Sequence, residues 1–167
     1  MKKVAIIMGS DSDLPIAEKA INTLKEFNAP FEVHVFSAHR TPVEAKEFSE
    51  NAKKNGFGAI IAIAGMAAHL PGVIAASTTV PVIGVPISAT LQGMDALLAI
   101  VQMPPGIPVA TVGVDAAMNA GLLAVQMLAV GDTRLKQELV GYKETLKSKI
   151  VKANEDLKNV KYEFKTN

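Results

Sequence analysis

Ala59-Ile-Ile-Ala-Ile-Ala-Gly65-Met-Ala-Ala-His69-Leu-Pro-Gly72-Val-Ile-Ala-Ala76 passes from a six-residue apolar run, through a turn of small residues, into a second apolar segment opened by proline. The run Ala59–Ala64 has the length and continuity of a strand buried on both faces. Pro71 onward predicts a short apolar helix, because proline fits the first helical turn. Strand, turn and helix in that order form the repeating unit of a parallel α/β sheet, and the turn at the strand's C-terminal end is where such sheets place ligands. His69 stands in that turn and is the only ionisable side chain between Asn55 and Met94.

The same unit recurs on both sides. Val4–Met8 predicts a first buried strand, closed by Gly9-Ser10-Asp-Ser12-Asp13. Helical spacing follows at Ile16, Ala17, Ala20, Ile21, Leu24 and Phe27, with Asp13 as N-cap and Pro15 in the first turn. Phe31–Phe36 alternates apolar residues with Glu32 and His34, the pattern of an edge strand with one wetter face. Thr41, Pro42 and Glu44 predict a helix start with a capping box, and the helix should stop near Asn55-Gly56. Val82–Val85 and Pro108–Val112 read as strands four and five. Asp95 to about Val101 and Asp115–Ala129 read as helices.

Five strands alternating with helices predict an α/β fold: a three-layer doubly wound parallel sheet, with order 2-1-3-4-5 as in flavodoxins because the second strand carries the edge pattern. Asp132-Thr-Arg134 then opens an extra C-terminal helix with an apolar stripe at Leu135, Leu139, Tyr142, Leu146 and Ile150. The 167 residues are expected to form one domain, with a core over about 1–130 and a helical extension over about 132–157. That stripe and the uncharged central third both need something to dock on, so a homo-oligomer is expected.

Composition narrows the function. With no cysteine, disulfides, thiolate metal sites and cysteine nucleophiles are excluded. Aromatics are only 5 %, which leaves few rings to stack on a flavin and argues against a flavodoxin-type binding module. Met1-Lys-Lys resembles the start of a signal peptide, but the apolar run after it ends within five residues at Gly9-Ser10, and no run approaches bilayer length, so a cytoplasmic protein with no membrane contact is expected. Net charge is +1, with 8 Lys+Arg against 11 Asp+Glu in residues 1–132 and 9 against 5 in 133–167. The basic tail alternates its signs and lacks interleaved aromatics, which fits a solvated helix face rather than a nucleic-acid contact.

Three turns carry the candidate chemistry. Gly9-Ser10-Asp-Ser12-Asp13 precedes a helix whose free N–H groups suit phosphate, while an aspartate there can cap the helix or accept from ribose hydroxyls. Ser37-Ala-His39-Arg40-Thr-Pro42 pairs one of the chain's two arginines, suited to bidentate phosphate contact, with an imidazole suited to proton transfer near neutrality. In the third turn, Gly65, Ala67 and Ala68 let a ligand approach the backbone closely, and His69 is either a second catalytic histidine or a structural one bonded to a backbone carbonyl. The three histidines are spread along the chain without a neighbouring carboxylate motif, which gives no ground for a metal.

Met8-Gly-Ser-Asp-Ser-Asp13, Ser37-Ala-His-Arg-Thr-Pro42, Ala67-Ala-His-Leu-Pro-Gly72, Gly84-Val-Pro86 and Gln102-Met-Pro104 with Gly106-Ile-Pro-Val109 together resemble, in order, the catalytic subunit family of phosphoribosylaminoimidazole carboxylase, and within it the N5-carboxyaminoimidazole ribonucleotide mutase class. The class rests on Ala-Ala-His-Leu-Pro-Gly, since carboxylases that use free carbon dioxide differ there. Met66 stands where many relatives have glycine, and Pro105 where some have a basic residue. The resemblance implies transfer of a carboxylate from the exocyclic nitrogen of the ribonucleotide to ring carbon 4, with no cofactor, metal or ATP, in a homo-octamer. It implies substrate contacts at Ser10, Ser12, Asp13, Ser37 and Arg40, with His39 as the proton shuttle. A slot for released carbon dioxide at Gly65, Ala67 and Ala68 would have to be dry to keep the gas from escaping.

Overall fold

The computed structural model describes residues 1–167. Its centre is a sheet of five parallel strands in the order β2-β1-β3-β4-β5. The strands are β1 (Lys3–Met8), β2 (Phe31–Val35), β3 (Phe57–Gly65), β4 (Val82–Ile87) and β5 (Ala110–Thr111). Register runs Val4↔Phe31 and Val4↔Ala59 on the two sides of β1, then Ile60↔Val82 and Ile83↔Ala110. β1, β3 and β4 are almost wholly buried, whereas β2 alternates half-buried and exposed residues at its edge. Continuous apolar runs therefore became inner strands and the alternating run became the edge.

Helices cover both faces. One apolar cluster joins Ile6, Ile61 and Ile83 of the sheet to Ala17, Ala20 and Leu24 of α1 (Leu14–Glu26) and Ala120, Ala124 and Val125 of α5 (Ala117–Ala129). On the opposite face Ile7, Ile60 and Ala62 pack with Ala45 of α2 (Pro42–Asn51), Leu70 and Ile74 of α3 (Leu70–Ala76) and Ile100 of α4 (Met94–Val101). Small residues let these layers close up. A Cβ on Gly84 would collide with Ile100 of α4, so the strand beneath that helix has none.

Several local expectations change. Thr41 makes no cap to α2; its hydroxyl accepts instead from the Ser37 N–H at 2.8 Å, so the Thr41–Glu44 box is not formed. The carboxylate of Asp13 likewise turns back from α1 to the Ser10 N–H. β5 is only Ala110–Thr111, shorter than the expected Pro108–Val112, and Pro108 at its start lacks the N–H that a ladder needs. α4 starts at Met94 behind Gly93 at φ +80°, and α5 starts at Ala117 because Asp115 lies at φ 56°.

α6 (Thr133–Leu157) starts as expected, with Asp132 accepting from the Leu135 N–H at 3.1 Å. Leu135 is fully buried and Tyr142 packs on Phe27 with ring centroids 5.5 Å apart. Farther along, Leu146 is 43 % and Ile150 72 % exposed, so the second half of the stripe leaves the body of the chain.

Candidate active site

Because β1 lies between β2 and β3, the loops that follow all three meet over its C-terminal end. They bring together most of the residues singled out from sequence. Arg40 Nη2 donates to the Gly9 carbonyl at 3.1 Å, tying the β2 loop to the β1 loop. The Ser37 hydroxyl accepts from the Arg40 N–H at 3.1 Å, the Arg40 Nε at 3.4 Å and the His39 N–H at 3.4 Å. Its lone pairs thus shape the loop, and its own O–H remains for a ligand.

The β1 loop is a 3-10 turn, Asp11–Asp13, held by side chains. Ser12 N–H donates to Ser10 Oγ at 3.3 Å, and Ser10 N–H donates to Asp13 Oδ2 at 3.1 Å. Partial burial pushes the Asp13 carboxyl above the usual aspartate range, and the charge of Asp11 adds to the rise. The Ser10 and Ser12 hydrogen bonds and the Arg40 charge act in the opposite direction. An open cavity of about 520 Å³ is lined by Ser10, Asp11, Val35, Ser37, Arg40 and Thr41. The Arg40 guanidinium and the Ser10 and Ser37 hydroxyls suit a phosphate, and the Asp11 carboxylate on the same rim opposes an anion. A similar cavity beside α2 is lined by Glu44 and Glu47, whose charges would repel an anion.

His69 does not bond a backbone carbonyl. Its Nδ1 lies 2.8 Å from Nε2 of His39, the rings nearly perpendicular at 72°. In the same loop Met66 holds φ at 55°, in the left-handed region that glycine favours, so a side-chain-bearing residue occupies a position suited to glycine. The Ala68 and His69 amides turn back onto the Met66 and Ala67 carbonyls at 2.9 and 2.8 Å, while the Met66 and Ala67 amides make no hydrogen bond within the chain. Ala68 is buried and Ala67 exposed. Gly65 ends β3, with a would-be Cβ 3.2 Å from Ala89. The expected dry slot is open in the single chain, since both histidines and Arg40 are exposed. His34 lies apart, on Glu32 at 3.0 Å and stacked on Phe36.

One feature escaped the sequence. The loops after β4 and β5 brace each other through Asp115, whose carboxylate accepts from the Ser88 N–H at 3.1 Å and from the Ser88 hydroxyl at 2.5 Å. Thr90 donates to Asp95 alongside and holds its carboxyl below the usual aspartate range. The available signal was charge: Asp115 is the sole ionisable residue between Asp95 and Asp132.

A parallel five-stranded sheet with an imidazole pair and a cavity lined by an arginine and two serines at its C-terminal edge defines an α/β enzyme acting on a small polar substrate. Residues 3–149 match the family model described as AIR carboxylase, and the chain belongs to that family. It is similar to the N5-carboxyaminoimidazole ribonucleotide mutase of Methanocaldococcus jannaschii, 55 % identical over 157 residues that cover 94 % of this chain and 98 % of that one. It is also 57 % identical over 130 residues to the phosphoribosylaminoimidazole carboxylase of Ogataea methanolica, covering 77 % of this chain but 24 % of that longer protein. Among solved structures, Treponema denticola PurE superposes with a TM-score of 0.85 at 29 % identity, over 93 % of this chain and 98 % of that one.

Proposed function

We infer that this protein is an N5-carboxyaminoimidazole ribonucleotide mutase of purine biosynthesis, an isomerase that moves the substrate carboxylate from the exocyclic nitrogen to ring carbon 4. The observation that carries the reading is the meeting of His39 and His69 beside the Arg40 cavity, on a chain that a relative of that name matches over 94 % of its length.

Arg40, with the hydroxyls of Ser10, Ser12 and Ser37, binds the phosphate, and Asp13 accepts from the ribose hydroxyls. Protonation of the carbamate nitrogen breaks its bond to the carboxyl carbon and releases carbon dioxide. The electron-rich ring carbon then attacks that carbon dioxide, and His39 removes the proton left on the ring carbon. A neutral imidazole is a base of the right strength at pH 7. The free Met66 and Ala67 amides, with Gly65 and Ala68 beside them, hold the carbon dioxide between the two steps. Confinement matters because a gas that escapes converts the reaction into futile decarboxylation.

The site is completed and dried in a closed homo-octamer. Met94, Leu98 and Val101 form an exposed apolar stripe on α4, and Leu146, Ile150 and Leu157 another on α6. Apolar area of that extent is what subunits cover in an assembly. No helix is long and apolar enough to cross a membrane. The phosphorylated substrate does not cross a bilayer unaided, so the reaction belongs in the cytoplasm. Purified protein should isomerise the carbamate without ATP. Activity only on aminoimidazole ribonucleotide with bicarbonate would favour the carboxylase alternative.

A further inference from the structure

We propose that His69 is the second half of a two-imidazole relay, in which every proton that His39 gives or takes at the substrate is exchanged through the His39–His69 hydrogen bond. The inference rests on the mutase reading and deepens it. The geometry is specific: His39 Nε2 faces His69 Nδ1 at 2.8 Å, and the outer nitrogens, His39 Nδ1 and His69 Nε2, make no hydrogen bond within the chain. Two neutral imidazoles joined in this way hold one bridging proton and one outer proton, so only two tautomeric arrangements exist. In one, His39 carries its proton on Nδ1 and His69 bridges with Nδ1–H. In the other, His39 bridges with Nε2–H and His69 carries a proton on Nε2.

The chemistry moves the pair between these arrangements. In the first step His39 Nδ1–H breaks, a new N–H forms on the carbamate nitrogen, and the bond from that nitrogen to the carboxyl carbon breaks to release carbon dioxide. The bridging proton passes from His69 Nδ1 to His39 Nε2, and His69 Nε2 takes a proton from water. After the ring carbon attacks, its proton goes to the vacated His39 Nδ1. The bridging proton then returns to His69 Nδ1, and His69 Nε2–H is given back to water. Each ring begins and ends neutral, and the proton count closes over the cycle. An isolated His39 would have to become a full imidazolium to give and retake the same proton. His69 acts through His39 and not on the substrate, so its role is positioning and relay.

Two His69 variants test this by turnover, KM and rescue. His69→Ala should lower kcat by at least about tenfold, within the range for lost acid–base assistance, with KM changed less than about threefold. His69→Asn places an amide near the Nδ1 position, so it can still fix the His39 tautomer but cannot pass a proton; it should stay as slow as His69→Ala. Added imidazole should restore His69→Ala several-fold, and 1-methylimidazole, which has no second exchangeable nitrogen, should restore it much less. Wild-type turnover in His69→Asn, equal rescue by both imidazoles, or normal turnover in His69→Ala would overturn the relay. If the wild-type protein itself failed to isomerise the carbamate, the mutase reading would fail first. If His39→Asn were inactive while both His69 variants were normal, only the relay would fall.

Discussion

The five loops at the C-terminal edge of the sheet fall into two groups that use their polar side chains in opposite ways. After β4 and β5, Ser88 is paired with Asp115 and Thr90 with Asp95. The Ser88 and Thr90 donors and the Asp115 carboxylate are spent there, and Asp95 Oδ1 alone stays buried without a partner. After β1, β2 and β3 the loops are tied together just as firmly, through Arg40 to Gly9 and His39 to His69, yet each tie leaves capacity over. Arg40 keeps donors, Ser37 keeps its O–H, both imidazoles keep an outer nitrogen, and the Met66 and Ala67 amides are free. Both groups are polar, and accessible donors and imidazole nitrogens separate the half that can act on a ligand from the half that braces it.

The largest test of that division falls on His39. His39→Asn keeps a hydrogen-bonding group but cannot titrate, so kcat should drop by at least about 10²-fold while assembly and substrate affinity persist; steady-state kinetics beside a binding titration reads both. Next is Arg40→Ala, expected to cost roughly 2–4 kcal/mol of affinity for phosphorylated ligands and much less for the nucleoside. Calorimetry with both ligands would separate a phosphate contact from a loop-shaping role, because equal losses mean that Arg40 only holds the loops.

The bracing half should respond in the other currency. Asp115→Ala leaves the Ser88 amide without its acceptor and puts alanine at φ 56°, so unfolding free energy should fall by about 1–3 kcal/mol with kcat/KM retained. Denaturant titration and an activity assay on the same sample decide it; a large catalytic loss in a stable variant would erase the distinction between the halves.

The smallest effect concerns Asp13. Its raised pKa means the native state binds this proton more tightly than the unfolded chain does. The associated stability is present at low pH and is lost as pH rises through the native pKa. Asp13→Asn should therefore unfold at a slightly higher temperature than wild type at pH 7, and the gap should close as pH falls below the ordinary value of 3.8. A gap that widens on acidification would mean that the ionised carboxylate stabilises the fold instead.

The strands, their order and the helix layers were legible because burial on two faces, one face or neither leaves a periodic trace in sequence. The order 2-1-3 even put the two histidine loops on either side of the first strand's end. Caps were less legible, since a serine, threonine or aspartate near a helix start has several N–H groups within reach: Thr41 chose Ser37, and Asp13 chose Ser10. The imidazole pair spans 30 residues and the Ser88–Asp115 brace spans 27, and no local pattern encodes which atoms meet across such distances.

The claim that the carboxylate moves within one site is tested most directly by isotope. Unlabelled carbamate substrate is given to the enzyme in ¹³C-bicarbonate buffer, and the product carboxylate is read at early times by mass spectrometry. The mutase account predicts product that is largely unlabelled, because the released carbon dioxide is held and recaptured. Product carrying the ¹³C content of the medium would contradict it and make the enzyme a carboxylase of free carbon dioxide.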